Sequence, residues 1–319
     1  MLRAGSGEAI IRKNIREAVV RPPAKPSRTL PALPAHLRGV IRRVDLPPGD
    51  KRIALTFDLC EQPDEIAGYQ GDIVDFLRDK RIPATFFAGG KWLLTHSGRA
   101  TQLMADRQFE IANHSWEHHN HRLIRGRALA MAIDAAQAAY ELTRARLAAT
   151  SCLPARPDPA ARQRSEPEVP LVQRFFRFPF GACDQTSLDA VNDRGLLAIQ
   201  WDVSSADPWR GMTTEAMVKH VVSRTRPGSI LLFHANGRGW NTANALPLII
   251  EQLRAKGYRF DTVAGLLSTP GARPVITTTC FDARPGDSDR YDGLGRKLID
   301  RYNRFYKSVG IAARDATGD

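Results

Sequence analysis

Short β-prone segments alternate with helical segments through most of this 319-residue chain, and the alternation constrains the fold more than any other feature. Six helical patterns separate the β-prone segments, which are residues 53–57, 84–87, 109–113, 175–178, 196–201, 229–233 and 258–260. Because a return to a parallel neighbouring strand needs a crossover, usually a helix, the alternation predicts parallel strands. We therefore predict an α/β fold, a distorted (β/α) barrel of about seven parallel strands rather than an open sheet.

The regions on either side of the predicted barrel differ from it in composition. Residues 1–38 form an N-terminal extension whose stretch 21–35 is rich in proline, which favours extended backbone, so we predict a linker there. The barrel is predicted over residues 39–271. Residues 272–319 form a C-terminal extension, in which residues 296–308 have the spacing of an amphipathic helix that packs back on the barrel.

One internal stretch interrupts the alternation. Residues 150–170 contain five prolines and few apolar side chains, which predicts an irregular insertion on the surface. Substrate choice in such a fold lies in variable loops of this kind. The sequence therefore does not indicate which substrate is bound.

Charge and hydropathy narrow the class of protein. The formal net charge is +12, but Lys and Arg form no run interleaved with aromatic residues, so we predict no dedicated nucleic-acid site. No run of about 18 apolar residues occurs, so no transmembrane helix is expected. The first 20 residues lack the apolar segment of a signal peptide. The sequence does not predict an oligomeric state.

The cysteines limit the structural role that sulfur can have. The four are Cys60, Cys152, Cys183 and Cys280, which lie far apart and form no CxxC pair. This spacing argues against a zinc knuckle and against a disulfide-rich scaffold. One or two disulfides are compatible with an oxidising compartment, so the sequence leaves the pairing and the compartment open.

Polar side chains follow several predicted strands, at the edge where such barrels carry their chemistry. Asp58 ends the first segment and is a candidate general base, although such a residue alone is more often a turn cap. Arg177 lies in the fourth segment and can orient a carboxylate through its planar guanidinium. His234 follows the sixth and is a candidate proton donor to a leaving amine. The competing interpretations are a surface arginine and a hydrogen-bonded core histidine.

The third segment runs into the histidine-rich sequence NHSWEHHNH, residues 113–121. His114 and His118 are four residues apart, a spacing that brings two imidazoles to one side of a helical turn and lets them share a metal ion. His119 and His121 are alternative ligands, and a solvated histidine-rich loop is the alternative to any metal site. The position directly after a strand favours the metal.

Aromatic and acidic residues near the same strand ends are candidate substrate contacts. Phe178 and Phe180 are expected to form a groove wall. Trp201 and Trp209 offer apolar faces on which sugars stack, while Asp202 and Asp207 offer acceptors. Half-buried tryptophans that only pack are an equally good interpretation when these residues are taken alone.

The order of these motifs resembles that of the polysaccharide deacetylase family, also called the NodB-homology domain or carbohydrate esterase family 4. The similarity spans roughly Arg52 to Leu267. The motifs here are TFDLCE at 56–61, HSWEH at 114–118, RFPFG at 177–181, WDVSSADPW at 201–209 and LLFH at 231–234. Each motif alone is weak, but the ordered combination is specific. The resemblance implies a NodB-like barrel and a hydrolase that removes N-acetyl or other acyl groups from an amino-sugar polysaccharide.

The resemblance also assigns roles to individual residues. Asp58 would deprotonate the attacking water, Arg177 would orient Asp58, and His234 would be the general acid. His114 and His118 would hold a divalent metal, zinc first, with cobalt or another ion as the alternative. The implied partner is a polysaccharide or oligosaccharide. An envelope substrate would place the protein in the periplasm or outside the cell, whereas the N-terminal sequence shows no export signal.

Two motifs depart from the family pattern. The family's second aspartate, which supplies the third metal ligand, is replaced by Leu59, whose apolar side chain cannot coordinate a cation. Its replacement would be Glu61, Cys60, water or nothing. The aspartate that supports the acid histidine in the family aligns with Ser204, and Asp202, two residues earlier, is the candidate substitute.

These departures keep two alternative functions open. One is a metal-independent hydrolase of a cyclic amide, such as an imide or allantoin. The other is a non-catalytic barrel that binds polysaccharide through its aromatic side chains. Loss of a metal ligand is a feature that both alternatives share.

Overall fold

The computed structural model describes most of the chain, namely Arg3 and residues 5–150, 169–280 and 289–311. The prediction of an irregular insertion falls almost entirely on residues 151–168, which lie outside the described residues. Within the described ranges, no helix combines the length and apolarity that a bilayer crossing requires.

The described chain alternates between strands and helices. The strands are β1 (Arg12–Lys13), β2 (Val40–Asp45), β3 (Arg52–Leu59), β4 (Glu65–Ile66), β5 (Ala84–Ala88), β6 (Phe109–Asn113), β7 (Phe175–Phe176), β8 (Leu197–Ile199), β9 (Val203–Ser204), β10 (Ile230–His234), β11 (Arg259–Asp261) and β12 (Arg273–Thr277). The helices are α1 (Gly71–Asp79), α2 (Gly90–Thr95), α3 (Ser97–Ala105), α4 (Gly126–Ala149), α5 (Gln185–Asn192), α6 (Thr214–Arg224), α7 (Thr242–Ala255), α8 (Val263–Leu267) and α9 (Asp292–Ser308).

Ten of the strands form one curled sheet. Nine follow the order β12-β2-β8-β7-β6-β5-β3-β10-β9, and β11 pairs with β3. All pairings in this sheet are parallel except that between β12 and β2. The prediction of a distorted parallel barrel is confirmed. All seven predicted segments are strands, and the sheet also recruits β2, β9 and β12.

The central strand β3 shows how the sheet separates its core from its site. Side chains alternate between the two faces of a strand. One row of β3 lies in the hydrophobic cluster that includes side chains of α1 and α7, and consists of Ile53, Leu55, Phe57 and Leu59. The intervening row includes Thr56 and Asp58, and both are buried. Thr56 and Asp58 therefore lie on the face opposite to α1 and α7.

The proline-rich segment predicted as a linker lies along the folded domain. The backbone N–H of Leu33 donates to the carbonyl of Asn192 at 2.9 Å, and the N–H of Ser27 donates to Glu141 Oε2 at 2.7 Å. Proline removes its own backbone donor and favours extended backbone, but the neighbouring residues keep their N–H groups. These groups bind α4 and the C-terminal end of α5.

The start of the chain packs at the carboxyl edge of the sheet. Strand β1 pairs antiparallel with β4, which lies in the loop that follows β3. The N–H of Asn14 donates to the carbonyl of Asp64 at 2.7 Å, and the N–H of Tyr69 donates to the carbonyl of Glu8 at 2.6 Å. The N-terminal extension therefore supports the loop that carries the first motif.

The C-terminal extension returns to the barrel, and the predicted amphipathic helix is present as α9. Its buried residues Tyr302, Phe305 and Tyr306 form a small cluster with Ala18 of the N-terminal extension. Before α9, β12 joins the sheet and a disulfide links Cys183 to Cys280. Both β12 and α9, in the described part of the extension, are thus held against the rest of the domain.

A carboxyl group is held at the opposite, amino-terminal end of β6. Glu110 Oε2 accepts hydrogen bonds from Thr85 Oγ1 at 2.7 Å and from the N–H of Ala264, in the first turn of α8, at 3.3 Å. Burial raises the pKa of Glu110 to about 7, and these hydrogen bonds only partly oppose the effect. The folded protein therefore holds a proton on this carboxyl group at a pH where the unfolded chain has released it.

We predict that Glu110→Gln removes a pH-dependent loss of stability. Because the pKa is raised above the unfolded value of 4.5, the wild-type free energy of unfolding should fall as pH rises from 4.5 to about 7. The variant has a neutral side chain at every pH and lacks this loss. The difference in unfolding free energy, variant minus wild type, should therefore increase by roughly 1–3 kcal/mol as pH rises from 4.5 to about 7. Urea unfolding at a series of pH values measures the difference, and a difference independent of pH would contradict the prediction.

Candidate active site

The candidate site lies at the carboxyl edge of the curled sheet, where the loops after β3, β6, β7 and β10 meet. The register of the parallel strands β3 and β10 pairs Asp58 directly with His234. The two remaining loops carry the histidine-rich sequence and the RFPFG sequence. Strand register therefore brings the predicted base and the predicted acid side by side.

Asp58 is held by a buried arginine. Arg177 Nη1 donates to Asp58 Oδ1 at 2.8 Å and to Thr56 Oγ1 at 2.8 Å. The guanidinium is fully buried, lies 3.8 Å from the ring centre of Phe87 and donates to the carbonyl of Ile199 at 3.2 Å. These contacts fix the position of the guanidinium and, through it, the orientation of the Asp58 carboxylate.

His114 is positioned by the same arginine. Its Nδ1 donates to the carbonyl oxygen of Arg177 at 2.9 Å, so Nε2 carries the free lone pair. Nε2 lies 3.5 Å from Asp58 Oδ2, and this buried nitrogen has no hydrogen-bond partner among the described residues. A metal-ligating histidine usually donates one ring N–H to a carbonyl oxygen and leaves its other ring nitrogen free for the metal. Nδ1 and Nε2 of His114 have this arrangement.

His118 lies next to His114, with 5.1 Å between the two ring centres. Its Nδ1 is also buried and has no hydrogen-bond partner within the described ranges. The His118 backbone has a φ of 60°, in the left-handed region that residues other than glycine seldom adopt. Ser115, Phe180 and Ala206, in the surrounding loops, share this conformation. Such backbone strain clusters at functional sites.

Cys60 joins the two histidines. Its Sγ and one ring nitrogen from each of His114 and His118 lie within 4.8 Å of one another. The thiol is buried, and Asn236 Nδ2 donates both to the Cys60 carbonyl at 2.7 Å and to Sγ at 3.2 Å. Burial alone would raise the pKa of the Cys60 thiol, but the rings of His118, His114 and His234 hold it well below its usual range. The thiol and one ring nitrogen from each of the two histidines fit a divalent metal ion.

The predicted support of His234 by Asp202 or Ser204 is wrong, because Asp207 supplies it. His234 Nδ1 donates to Asp207 Oδ1 at 2.8 Å, and the His234 backbone N–H donates to Asp207 Oδ2 at 2.7 Å. Burial would lower the pKa of His234, but the charge and hydrogen bond of Asp207 raise it well above its ordinary value. The residue is therefore held as a proton donor.

Asp202 lies at the far end of β10, so it does not serve as the predicted substrate contact. Its carboxylate accepts from the N–H of Ile230 at 3.0 Å and from Ser229 Oγ at 2.9 Å. Ile230 begins the strand that His234 ends, and four strand residues span roughly 13 Å. The chain turns between Asp202 and Asp207, and only the second carboxylate reaches the carboxyl edge.

The aromatic candidates divide between core and site. Phe178 is buried against Phe176 and His121, so its prediction as a groove wall is wrong. Phe180 lies with its ring centre 4.4 Å from that of His118. Trp201 is partly buried and packs near Arg177. The turn Pro179–Gly181 explains the difference, since Phe178 precedes it and Phe180 lies within it at a φ of 60°.

Trp209 is 65% exposed, and a second tryptophan, Trp240, is 42% exposed. The Trp240 backbone N–H donates to the carbonyl of Asp207 at 3.2 Å, and its indole N–H donates to the carbonyl of Pro208 at 3.1 Å. Arg210 lies 3.8 Å from the Trp240 ring centre. Trp240 was not predicted, because no recognisable motif surrounds it.

The alternative ligands lie away from the three grouped residues. Glu61 is buried, and its carboxylate accepts from the N–H of Ala67 at 2.8 Å and from Thr95 Oγ1 at 3.0 Å. His121 packs among phenylalanines, and His119 packs edge-on against Tyr302. In the described part of the chain, these residues do not belong to a group of metal-binding geometry with Cys60, His114 and His118.

Comparisons with known proteins agree with this arrangement. A profile described as polysaccharide deacetylase matches residues 45–159. A peptidoglycan-N-acetylglucosamine deacetylase of Bacillus cereus is 30% identical over 102 residues, which are 31% of this chain and 37% of the relative. The matched region thus spans about a third of that relative. A chitooligosaccharide deacetylase of Azorhizobium caulinodans is 25% identical over 218 residues, or 65% of this chain and 90% of the relative.

The fold has solved counterparts as well. A carbohydrate esterase family 4 pseudoenzyme from Bacillus anthracis superposes with a TM-score of 0.56 at 21% identity, over 72% of this chain and 69% of that one. At this identity the likeness concerns the fold alone. The profile match over residues 45–159, the named relatives and the shared barrel all show similarity to the polysaccharide deacetylase family, the NodB-homology domain of carbohydrate esterase family 4.

Proposed function

We propose that this protein is a metal-dependent hydrolase that removes N-acetyl groups from an amino-sugar polysaccharide. The observation that carries the proposal is the pairing of Asp58 with His234 across adjacent strands, beside His114 and His118. A base, an acid and two metal-type ligands in one cleft are what amide hydrolysis requires. The profile match and the relatives named as deacetylases support the same reaction class.

The residues of the chain have separable tasks in this reaction. Asp58, oriented by Arg177, accepts a proton from the attacking water, whose oxygen bonds to the acyl carbon. A divalent ion held by His114 and His118 would supply Lewis-acid chemistry toward the acyl carbonyl and the attacking water. His234 donates its proton to the sugar nitrogen as the carbon–nitrogen bond breaks, and Asp207 stabilises the imidazolium beforehand. The products are acetate and a free amine.

The direct test is acetate release from N-acetylglucosamine oligomers by wild type and by Asp58→Asn. We expect the variant to lose activity by about 10²–10⁴-fold, because an amide cannot accept the proton, while its affinity for the oligomer changes little. Removing the metal with a chelator should also abolish release, and added zinc or cobalt should restore it. Absence of turnover in the metal-loaded wild type, or turnover that a chelator leaves unchanged, would contradict the proposal.

A second function, non-catalytic glycan binding, has one specific observation in its favour. Leu59 occupies the position of a family metal ligand and is fully buried in the core. A structural counterpart is itself described as a pseudoenzyme. A binder would hold the oligomer with unchanged affinity in wild type and Asp58→Asn, and neither protein would release acetate. The same assay therefore separates the two functions.

The acid side of the site yields a matched pair of variants. Asp207→Asn removes the charge that holds His234 protonated, so we expect kcat to fall by roughly 10²–10⁴-fold. Asp202→Asn makes the same carboxylate-to-amide change at the other end of β10. It should leave kcat within about twofold of the wild-type value. Steady-state kinetics on both variants, with thermal melting to verify folding, measures the contrast. Equal losses in the two variants would refute the role of Asp207.

The exposed tryptophans favour a chain-like substrate over a small cyclic amide. Trp209, Arg210 and Trp240, here called the tryptophan patch, are joined to the loop that carries Asp207. Large exposed aromatic side chains near a catalytic cleft are uncommon unless they bind a partner, and indole faces stack on sugar rings. A neighbouring sugar unit of a polymer would reach the tryptophan patch, whereas a single cyclic amide would not.

We predict that Trp240→Ala raises KM for longer oligomers by roughly two- to tenfold, the value expected for one lost aromatic stacking contact. The effect on a disaccharide should be smaller, because its rings end nearer to the scissile bond. Leu248→Ala is the control, since Leu248 is 44% exposed on α7. An identical KM change for short and long substrates would argue against stacking at this patch.

A further inference from the structure

The position that carries a metal-ligating aspartate in the family does not face the site in this protein. Leu59 ends β3 and is fully buried together with Ile53, Leu55 and Phe57 in the cluster between sheet and helices. These four residues occupy alternate positions, so they belong to one face of the strand. A ligand at position 59 would point into this apolar layer as long as β3 keeps its regular alternation.

The side chain of the next residue, Cys60, lies on the side of the site. Cys60 follows Asp58 by two positions, and its sulfur groups with ring nitrogens of His114 and His118 within 4.8 Å. The Cys60 side chain is 3% exposed, and Asn236 binds both its carbonyl oxygen and its sulfur. The thiol is therefore fixed toward the two histidines rather than mobile in a loop.

The other side chains that carry oxygen ligands near the site are engaged elsewhere. Asp58 is bound by Arg177 at 2.8 Å. Glu61 accepts from Thr95 and from the backbone of the same loop, and its carboxylate lies 3.8 Å from Lys91 Nζ. Asp58 Oδ2 lies 3.5 Å from His114 Nε2, but among the described residues the group of metal-binding geometry that contains both histidines has Cys60 as its third member.

We propose that Cys60 is the third protein ligand, so that this protein holds its ion in a centre of two histidines and one cysteine. The inference rests on the proposed function for the presence of a metal. Zinc and cobalt favour thiolate and imidazole, whereas magnesium, calcium and manganese favour oxygen. The substitution of sulfur for a carboxylate therefore makes the site selective for zinc, with cobalt as its spectroscopic substitute.

The test uses the full chain, stripped of metal with a chelator and titrated with Co²⁺. A cobalt–thiolate bond gives a near-ultraviolet charge-transfer band that histidine and carboxylate ligands do not give. We expect one equivalent of Co²⁺ to produce this band and one equivalent of Zn²⁺ to remove it. A large excess of Mg²⁺ or Mn²⁺ should leave it in place. Binding of one cobalt without the band would overturn the inference.

Matched variants assign the band to one sulfur. Cys60→Ser should lose the band and weaken zinc binding by at least about a hundredfold, beyond the roughly 10–100-fold typical of a lost outer-shell partner. Cys152→Ser, which changes a residue outside the described ranges, should keep both. If Cys60→Ser does not fold, the wild-type cobalt spectrum still decides whether sulfur is bound. A band that persists in folded Cys60→Ser would refute the assignment.

A third variant tests the argument from strand faces. In the Cys60→Ser background, Leu59→Asp should fail to restore zinc binding and should lower the melting temperature, because it buries a carboxylate in the apolar layer. Cys60→Asp should retain a bound ion and lose the band. Restored stoichiometric binding by Leu59→Asp would show that position 59 reaches the site. Because none of these readouts needs turnover, an intact band without acetate release would refute the proposed function and leave the ligand assignment standing.

Discussion

A buried ion pair between Asp58 and Arg177 is the interaction on which the rest of the site depends. An unpaired guanidinium at this depth would cost several kcal/mol, so the carboxylate and the arginine require each other. The carbonyl oxygen of Arg177 also accepts the Nδ1 proton of His114, which turns the other nitrogen of that ring toward the site. Arg177, which follows β7, thus hydrogen-bonds to β3, β6 and β8 and positions both Asp58 and His114.

Much of the fold could be predicted because parallel strands buried on both faces leave a strong local pattern. The spacing of apolar runs was sufficient to place all seven predicted strands, and strand ends indicated Asp58, His114, His118, Arg177 and His234. Asp207 was predicted only as a possible substrate acceptor, and its role beside His234 was missed for a geometric reason. Its loop turns through Ala206 at a φ of 57°, and no local pattern reveals which of several acceptors such a turn carries back to His234.

Other differences between sequence and structure arise from tertiary packing. The proline-rich segment has the composition of a linker, yet its few remaining N–H groups bind Glu141 and Asn192. Phe178 and Phe180 are two residues apart, and a turn between them sends one into the core and the other toward His118. Whether Leu59 or Cys60 faces the cleft depends on where β3 ends, which propensity does not define to one residue.

The disulfide and the site cysteine need opposite redox states of sulfur in one chain. Cys183 and Cys280 must be oxidised for the covalent tie between the C-terminal extension and the loop after β7. Cys60 must stay reduced to remain a thiol. Burial protects Cys60 from bulky oxidants, and bound zinc would occupy its lone pair. Reductant added during purification to protect the site would therefore also cut the tie, whereas purification with zinc and without reductant would preserve both.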